Sequence, residues 1–167
     1  MSEKYVVKCG FDLNGAKAVD RVTNRGFRIF LYCAMAVSVA LSAAMLLALK
    51  DADVVFWGVF CATMVGMSRL YLLVNPHLIF KKYGQRTGEV TYKFGKNAMT
   101  VASGAENTVV HYTSVLRLAE TKDYFLIYPQ KRAAYVLAKA GFVSGDPAAF
   151  LPFIEEKTGL KAGHYRV

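Results

Sequence analysis

The sequence predicts an α+β protein: a transmembrane hairpin of two helices, then an antiparallel sheet or partial barrel capped by a C-terminal helix. Three observations lead there. Two long apolar runs, residues 29–49 and 54–74, fill much of the first half of the 167-residue chain. From Glu89 onward the apolar period drops to two, in short segments separated by turn residues. Near the end, a stretch with Asp146 and Pro147 at its start and Gly159 at its close carries helix start and stop signals.

The first run, "IFLYCAMAVSVALSAAMLLAL", holds no charge. At about 1.5 Å per helical residue it matches a hydrocarbon core of about 30 Å. A cleaved signal peptide is the competing reading, but the run starts late, is long for a signal core and is followed at once by a second apolar run. That second run, "VVFWGVFCATMVGMSRLYLLV", is interrupted only by Arg69, which sits near enough to its end to send its long stem toward the headgroups. The connector "KDAD", Lys50 to Asp53, is so short that the two helices must be antiparallel neighbours. Ala36, Ala40, Ala44 and Ala48 recur every fourth residue, as do Gly58, Ala62 and Gly66. Each set predicts a smooth packing face, either between the two helices or at a dimer seam.

Charge follows the membrane. The chain carries a net +9 with 54 % hydrophobic residues, a balance that raises nucleic-acid binding as a possibility. Lys17, Arg21, Arg25 and Arg28 precede the first run, and Lys81, Lys82 and Arg86 follow the second, where anionic headgroups sit. No nucleic-acid partner is expected. The connector holds only Lys50 beside two aspartates, so the positive-inside rule puts both termini in the cytoplasm of a multi-pass protein. Residues 16–30 predict a helix with its basic residues on one stripe, and residues 4–9 a short strand.

The expected domains are an N-terminal segment over 1–28, the hairpin over 29–75 and a C-terminal module over 76–167. In the last, "EVTYKF" alternates strictly, "GKN" is a turn, and "AMTVA", "TVVHY", "SVLRLAE", "YFLIY" and residues 134–137 continue the series as an antiparallel meander. Phe150, Phe153 and Ile154 share one face of the final helix, ready to cover the sheet.

Meander followed by capping helix resembles a pleckstrin-homology-like module. Over residues 112–142 the chain more closely resembles the YcxB-like family of bacterial membrane proteins. The matching residues are Tyr112, Val115, Leu118, Glu120, Thr121, Tyr124, Leu126, Tyr128, Val136, Lys139 and Phe142, with Ala138 and Ala140 where that family tends to have proline and a basic residue. The resemblance implies a helical hairpin in the bacterial cell membrane bearing a cytoplasmic module.

No chemistry is marked. Cys9, Cys33 and Cys61 lack ligand spacing, His77, His111 and His164 are scattered, and no glycine-rich phosphate loop occurs. Glu155 and Glu156 read as a solvated helix face. The expectation is a non-enzyme without metal or cofactor: an adaptor or interaction module at the inner face of the membrane, with a protein partner or a second copy of itself. The alternative is a sensor of anionic lipid through Lys131 and Arg132, at the "PQKR" hairpin tip, together with Lys81 and Lys82. A transporter or pore subunit has little support, since neither span carries acidic residues, histidine or a helix break.

Overall fold

The computed structural model describes residues 4–48, 53–104 and 106–165. They form two compact units, Met1–Thr23 with Leu78–Val167, and Asn24–His77. The second unit splits the first in sequence, so chain from both sides of the apolar runs builds one folded body.

That body begins with a strand, β1 (Tyr5–Gly10), and a helix, α1 (Leu13–Thr23). The apolar helices are α2 (Arg25–Ala48) and α3 (Asp53–Thr87). Then come β2 (Glu89–Phe94), β3 (Ala98–Ser103), β4 (Glu106–His111), β5 (Arg117–Glu120), β6 (Tyr124–Tyr128), β7 (Tyr135–Ala138), β8 (Phe142–Ser144), α4 (Pro147–Thr158) and β9 (Ala162–His164). The strands make two sheets, ordered β4-β3-β2-β1-β8 and β7-β6-β5-β9. They do not close into a barrel. All pairings are antiparallel except β5 with β9.

Alternation in β2 and β3 puts Val90, Tyr92, Phe94, Met99 and Val101 on the inner face. Leu118, Phe125, Ile127 and Leu137 meet them from the other sheet, and Phe150, Phe153 and Ile154 of α4 join the same core. Helix α4 forms as its signals predict. Asp146 accepts a hydrogen bond from the Ala148 N–H at 2.9 Å, Pro147 occupies the first turn, and Gly159 ends the helix in the left-handed region at φ +70°. Pro152 is accommodated inside it.

Strand β1 is internal to its sheet. It pairs with β2 along its whole length, Tyr5 opposite Phe94 through Gly10 opposite Glu89, and with β8 on its other side. Gly145 follows β8 at φ +89°, where a Cβ would collide with the Tyr5 ring. Only glycine satisfies both demands.

Helix α1 differs from the sequence expectation. A single helix was predicted over residues 16–30, but the chain makes α1 and α2 with a break at Asn24. The reason is packing: Val19 and Val22 of α1 lie against Ala119, Leu126, Tyr128 and Val136, on the face of the second sheet turned away from the main core. Strand β6, which reads as half-buried, is therefore covered on both faces, with Phe125 and Ile127 on one side and Leu126 and Tyr128 on the other. A continuous apolar "YFLIY" fits that environment.

Helix α3 also runs further than expected. Pro76, a natural boundary in sequence, lies inside it. A proline removes one intrahelical donor and crowds one carbonyl, a local loss that a long helix absorbs.

Candidate functional site

The apolar unit can be described first by itself. Over Arg25–Ala44 and Phe56–Tyr83 the helices are long and apolar enough to cross a membrane, and only 6 % of each window is buried. A core helix of a water-soluble protein would be covered, so these exposed apolar surfaces call for lipid. Phe27 near the start of α2 packs edge-on against Tyr71 of α3, with ring centroids 5.4 Å apart. The entry of α2 thus stands level with the Arg69 turn of α3, as antiparallel helices require. Arg69 is exposed and shares that level with Arg25 and Arg28. The connector residues Lys50 to Ala52 lie outside the described residues.

Of the described residues of the smooth alanine and glycine faces, only Gly58 is half-buried within one chain. Ala36, Ala40, Ala44, Ala62 and Gly66 are exposed, and the Ala48 side chain lies outside those described. A Cβ added at Gly58 or Gly66 would meet nothing within 4 Å. The half-buried residues are instead Leu31, Ala34, Met35, Ser38 and Ser42 on α2, and Gly58, Cys61, Val65 and Ser68 on α3. Steps of four advance about 40° around a helix of 3.6 residues per turn, so a stripe at strict fours winds off any one face. Alternating steps of three and four stay on it.

Lys131 and Arg132 lie on the exposed turn between β6 and β7, where "PQKR" predicts it. Lys81 and Lys82 are exposed on the last turns of α3, Lys82 with its ammonium 5.2 Å from the Tyr83 ring centre.

One charged cluster was not foreseen as such. Glu120 on β5 accepts from Lys139 Nζ at 2.6 Å with one oxygen and faces His164 Nδ1 at 2.7 Å with the other. The Lys139 ammonium also lies 4.7 Å from the Phe125 ring centre. Glu120 and Lys139 are spaced as neighbours only because β5, β6 and β7 form a meander, and β9 returns beside β5. These contacts tie down the end of the chain: the Tyr165 N–H donates to the Glu120 carbonyl at 2.8 Å. Among the described residues no group of three or more histidine, cysteine, aspartate or glutamate side chains is placed to hold a metal ion. Cys9 donates its Sγ hydrogen to the Val136 carbonyl at 3.3 Å, and burial raises its thiol above the ordinary value. Such a thiol is a poor nucleophile.

The longest edge strand among the described strands is β4, with six residues. Its hydrogen-bonding phase follows from two turn contacts: Gly95 N–H donates to the Ala98 carbonyl at 3.0 Å, and Tyr112 N–H to the Asn97 carbonyl at 3.5 Å. Bonded pairs alternate along an antiparallel ladder. Glu106, Thr108 and Val110 therefore direct their main-chain groups at Ser103, Val101 and Met99 of β3, in the observed register. Asn107, Val109 and His111 direct theirs outward. The same three side chains are exposed, Val109 at 59 %.

Residues 94–154 match the family model described as YcxB-like protein, a stretch that runs from the end of β2 to the middle of α4. No curated protein and no solved structure matches the chain. The matched stretch leaves out β1, α1 and most of β2, which complete the same folded body. Two exposed apolar helices of membrane length ahead of a stretch similar to the YcxB-like model fit a membrane protein with a C-terminal domain of that kind.

Proposed function

We propose that this protein is a non-catalytic adaptor: a multi-pass anchor in the bacterial cell membrane that holds its folded domain at the cytoplasmic face and engages a protein partner along the β4 edge. The observation that carries the reading is that edge, with outward main-chain groups at Asn107, Val109 and His111 and an exposed valine at its centre. Added strands gain affinity from main-chain bonds and specificity from alternate side chains. Anchoring strengthens weak contacts by raising the effective concentration of whatever shares the membrane. Retention of the first span is supported by β1 and α1, since cleavage behind the span would remove an internal strand of the sheet.

A photo-crosslinking side chain at Val109, in the full-length protein in living cells, tests the reading. A discrete protein adduct is expected at Val109 and none at Leu116, which is similarly exposed at 57 % but lies between elements. Absence of any protein adduct at Val109 would sink it.

Sensing of anionic lipid is the second reading, favoured by the exposure of Lys131 and Arg132 at a turn. Its test uses a cysteine at the neighbouring Gln130 in full-length protein reconstituted into neutral and anionic bilayers. Slower labelling in the anionic bilayer, relieved by salt and by Lys131→Gln with Arg132→Gln, supports lipid contact. Equal labelling in both bilayers removes it.

A further inference from the structure

We propose that β4 pairs antiparallel with β4 of a second copy of this chain, in a register centred on Val109, joining two five-stranded sheets edge to edge. This rests on the adaptor reading of the β4 edge and names its partner.

The first argument is the edge itself. Exposed strand edges are ordinarily blunted by lysine, proline, a bulge or short length. Of the outer strands, β8 and β9 span Phe142–Ser144 and Ala162–His164, and β8 shifts register against β1. Strand β7 is short, and Cys9 of β1 already bonds to its Val136. Strand β4 has six residues, runs in unbroken register along β3, and contains no lysine, arginine or proline. It is the one six-residue edge among the described strands, and its only charged carboxylate, Glu106, stands at its start.

The second argument is self-complementarity. Two copies joined by antiparallel strands in one continuous sheet are related by a two-fold axis perpendicular to the sheet. Residues facing each other then lie on the same side, so the register must pair odd positions with odd or even with even. The outward-directed residues are 107, 109 and 111, symmetric about Val109. Val109 thus opposes its own counterpart, and Asn107 opposes His111 of the second copy. Each opposed pair is one in which both partners have outward main-chain groups, as a bonded pair demands. The His111 carbonyl already accepts from the Ser114 hydroxyl at 2.7 Å and keeps a second lone pair for the new bond.

Side chains agree with this register. The two exposed valines cover each other on the axis, and asparagine faces histidine at either side. The two Glu106 carboxylates fall at opposite ends of the paired strands, so no like charges are opposed. Two anchored copies also share one surface and one orientation, which favours pairing of identical edges.

The experiment uses full-length protein in native membranes, with Cys9, Cys33 and Cys61 replaced by serine and single cysteines introduced under mild oxidation. Directly opposed residues of a bonded antiparallel pair have Cα atoms about 5.5 Å apart, within reach of a disulfide. Val109→Cys is expected to form a disulfide-linked dimer on its own. Asn107→Cys and His111→Cys should each stay monomeric alone and cross-link only when co-expressed as differently tagged copies.

Val109→Pro provides the disrupting variant. Its N–H points outward, so the β3–β4 ladder loses no bond and the folded domain should melt as the parent does. The Asn107–His111 cross-link should disappear in its presence, and also with Val109→Lys, which opposes two ammonium groups. Failure of the mixed pair to cross-link, or its survival in both Val109 variants, overturns the proposal. An adduct between Val109 and a different protein overturns self-pairing and leaves the adaptor reading standing.

Discussion

At the scale of single residues, two aspartates do similar work with different reach. Asp146 caps α4 through the Ala148 N–H, a contact two residues away. Asp12 caps α1 through the Gly15 N–H at 2.7 Å and also accepts from the Tyr124 hydroxyl of β6 at 2.9 Å. Asp146→Ala should cost about 1 kcal/mol, the usual loss of a cap. Asp12→Ala should cost more than Asp146→Ala because it also removes the bond from the Tyr124 hydroxyl, as paired thermal melts of the full-length protein would show. Equal losses would mean the Tyr124 bond contributes nothing. The local cap was legible in "SGDPAAF". The one at Asp12 was not, because half of its role depends on a strand 112 positions away.

Tyr112 gives the pH dependence at the same scale. Burial pushes its hydroxyl from 10.0 up to about 12, and that hydroxyl donates to the Gly95 carbonyl at 2.9 Å. In the unfolded chain it ionises near 10. The stabilising contribution is therefore intact below pH 10 and declines as pH rises from 10 toward 12. Tyr92 and Tyr128 are shifted upward by burial as well, so they act in the same direction. Chemical denaturation across this range should show stability falling with pH. Tyr112→Phe should be less stable than the parent at neutral pH and show a shallower alkaline decline; an unchanged slope would contradict the assignment.

At the scale of elements, β1 decides what can fold. It lies between β2 and β8, and Tyr5 and Val7 stand in the main core. A fragment beginning at Lys81 retains every residue of the family match yet lacks that strand and the α1 cover over Leu126 and Tyr128. Such a fragment should be molten or insoluble. Residues 4–23 linked by a flexible connector to residues 88–165 should give dispersed amide spectra and a cooperative melt. A well-folded fragment from Lys81 alone would show that β1 is dispensable. The strands from β2 to β7 were readable because alternation and turns are local signals. Strands β8 and β9 span only three residues each, too short for a period, and their pairing is decided by β1 and β5.

For the whole molecule, the proposed orientation of the apolar unit is set by its arginines. The arginines at the entry of α2 and at Arg69 mark one end of the helical pair, and the proposed function places that end on the cytoplasmic side. In cysteine-free protein, a cysteine at Lys50 should react with an impermeant maleimide from outside intact cells. One at Lys122, exposed in the turn after β5, should react only in inverted vesicles. Labelling of Lys122→Cys from outside would reverse the proposed orientation.

The sequence by itself determined the fold class, the two membrane-length apolar helices, the meandering strands and the caps of α4, because each is encoded within a few turns or strand residues of itself. It also carried the resemblance that the family match over residues 94–154 supports. Only the tertiary structure decided that β1 and α1 belong with the C-terminal strands, that Ala36, Ala40, Ala44, Ala62 and Gly66 are exposed within one chain, and which groups of β4 point outward. Those outcomes depend on pairings across more than eighty residues, on the mismatch between steps of four and a 3.6-residue helix, and on the hydrogen-bonding phase of a ladder. None of these is a property of a local stretch of chain.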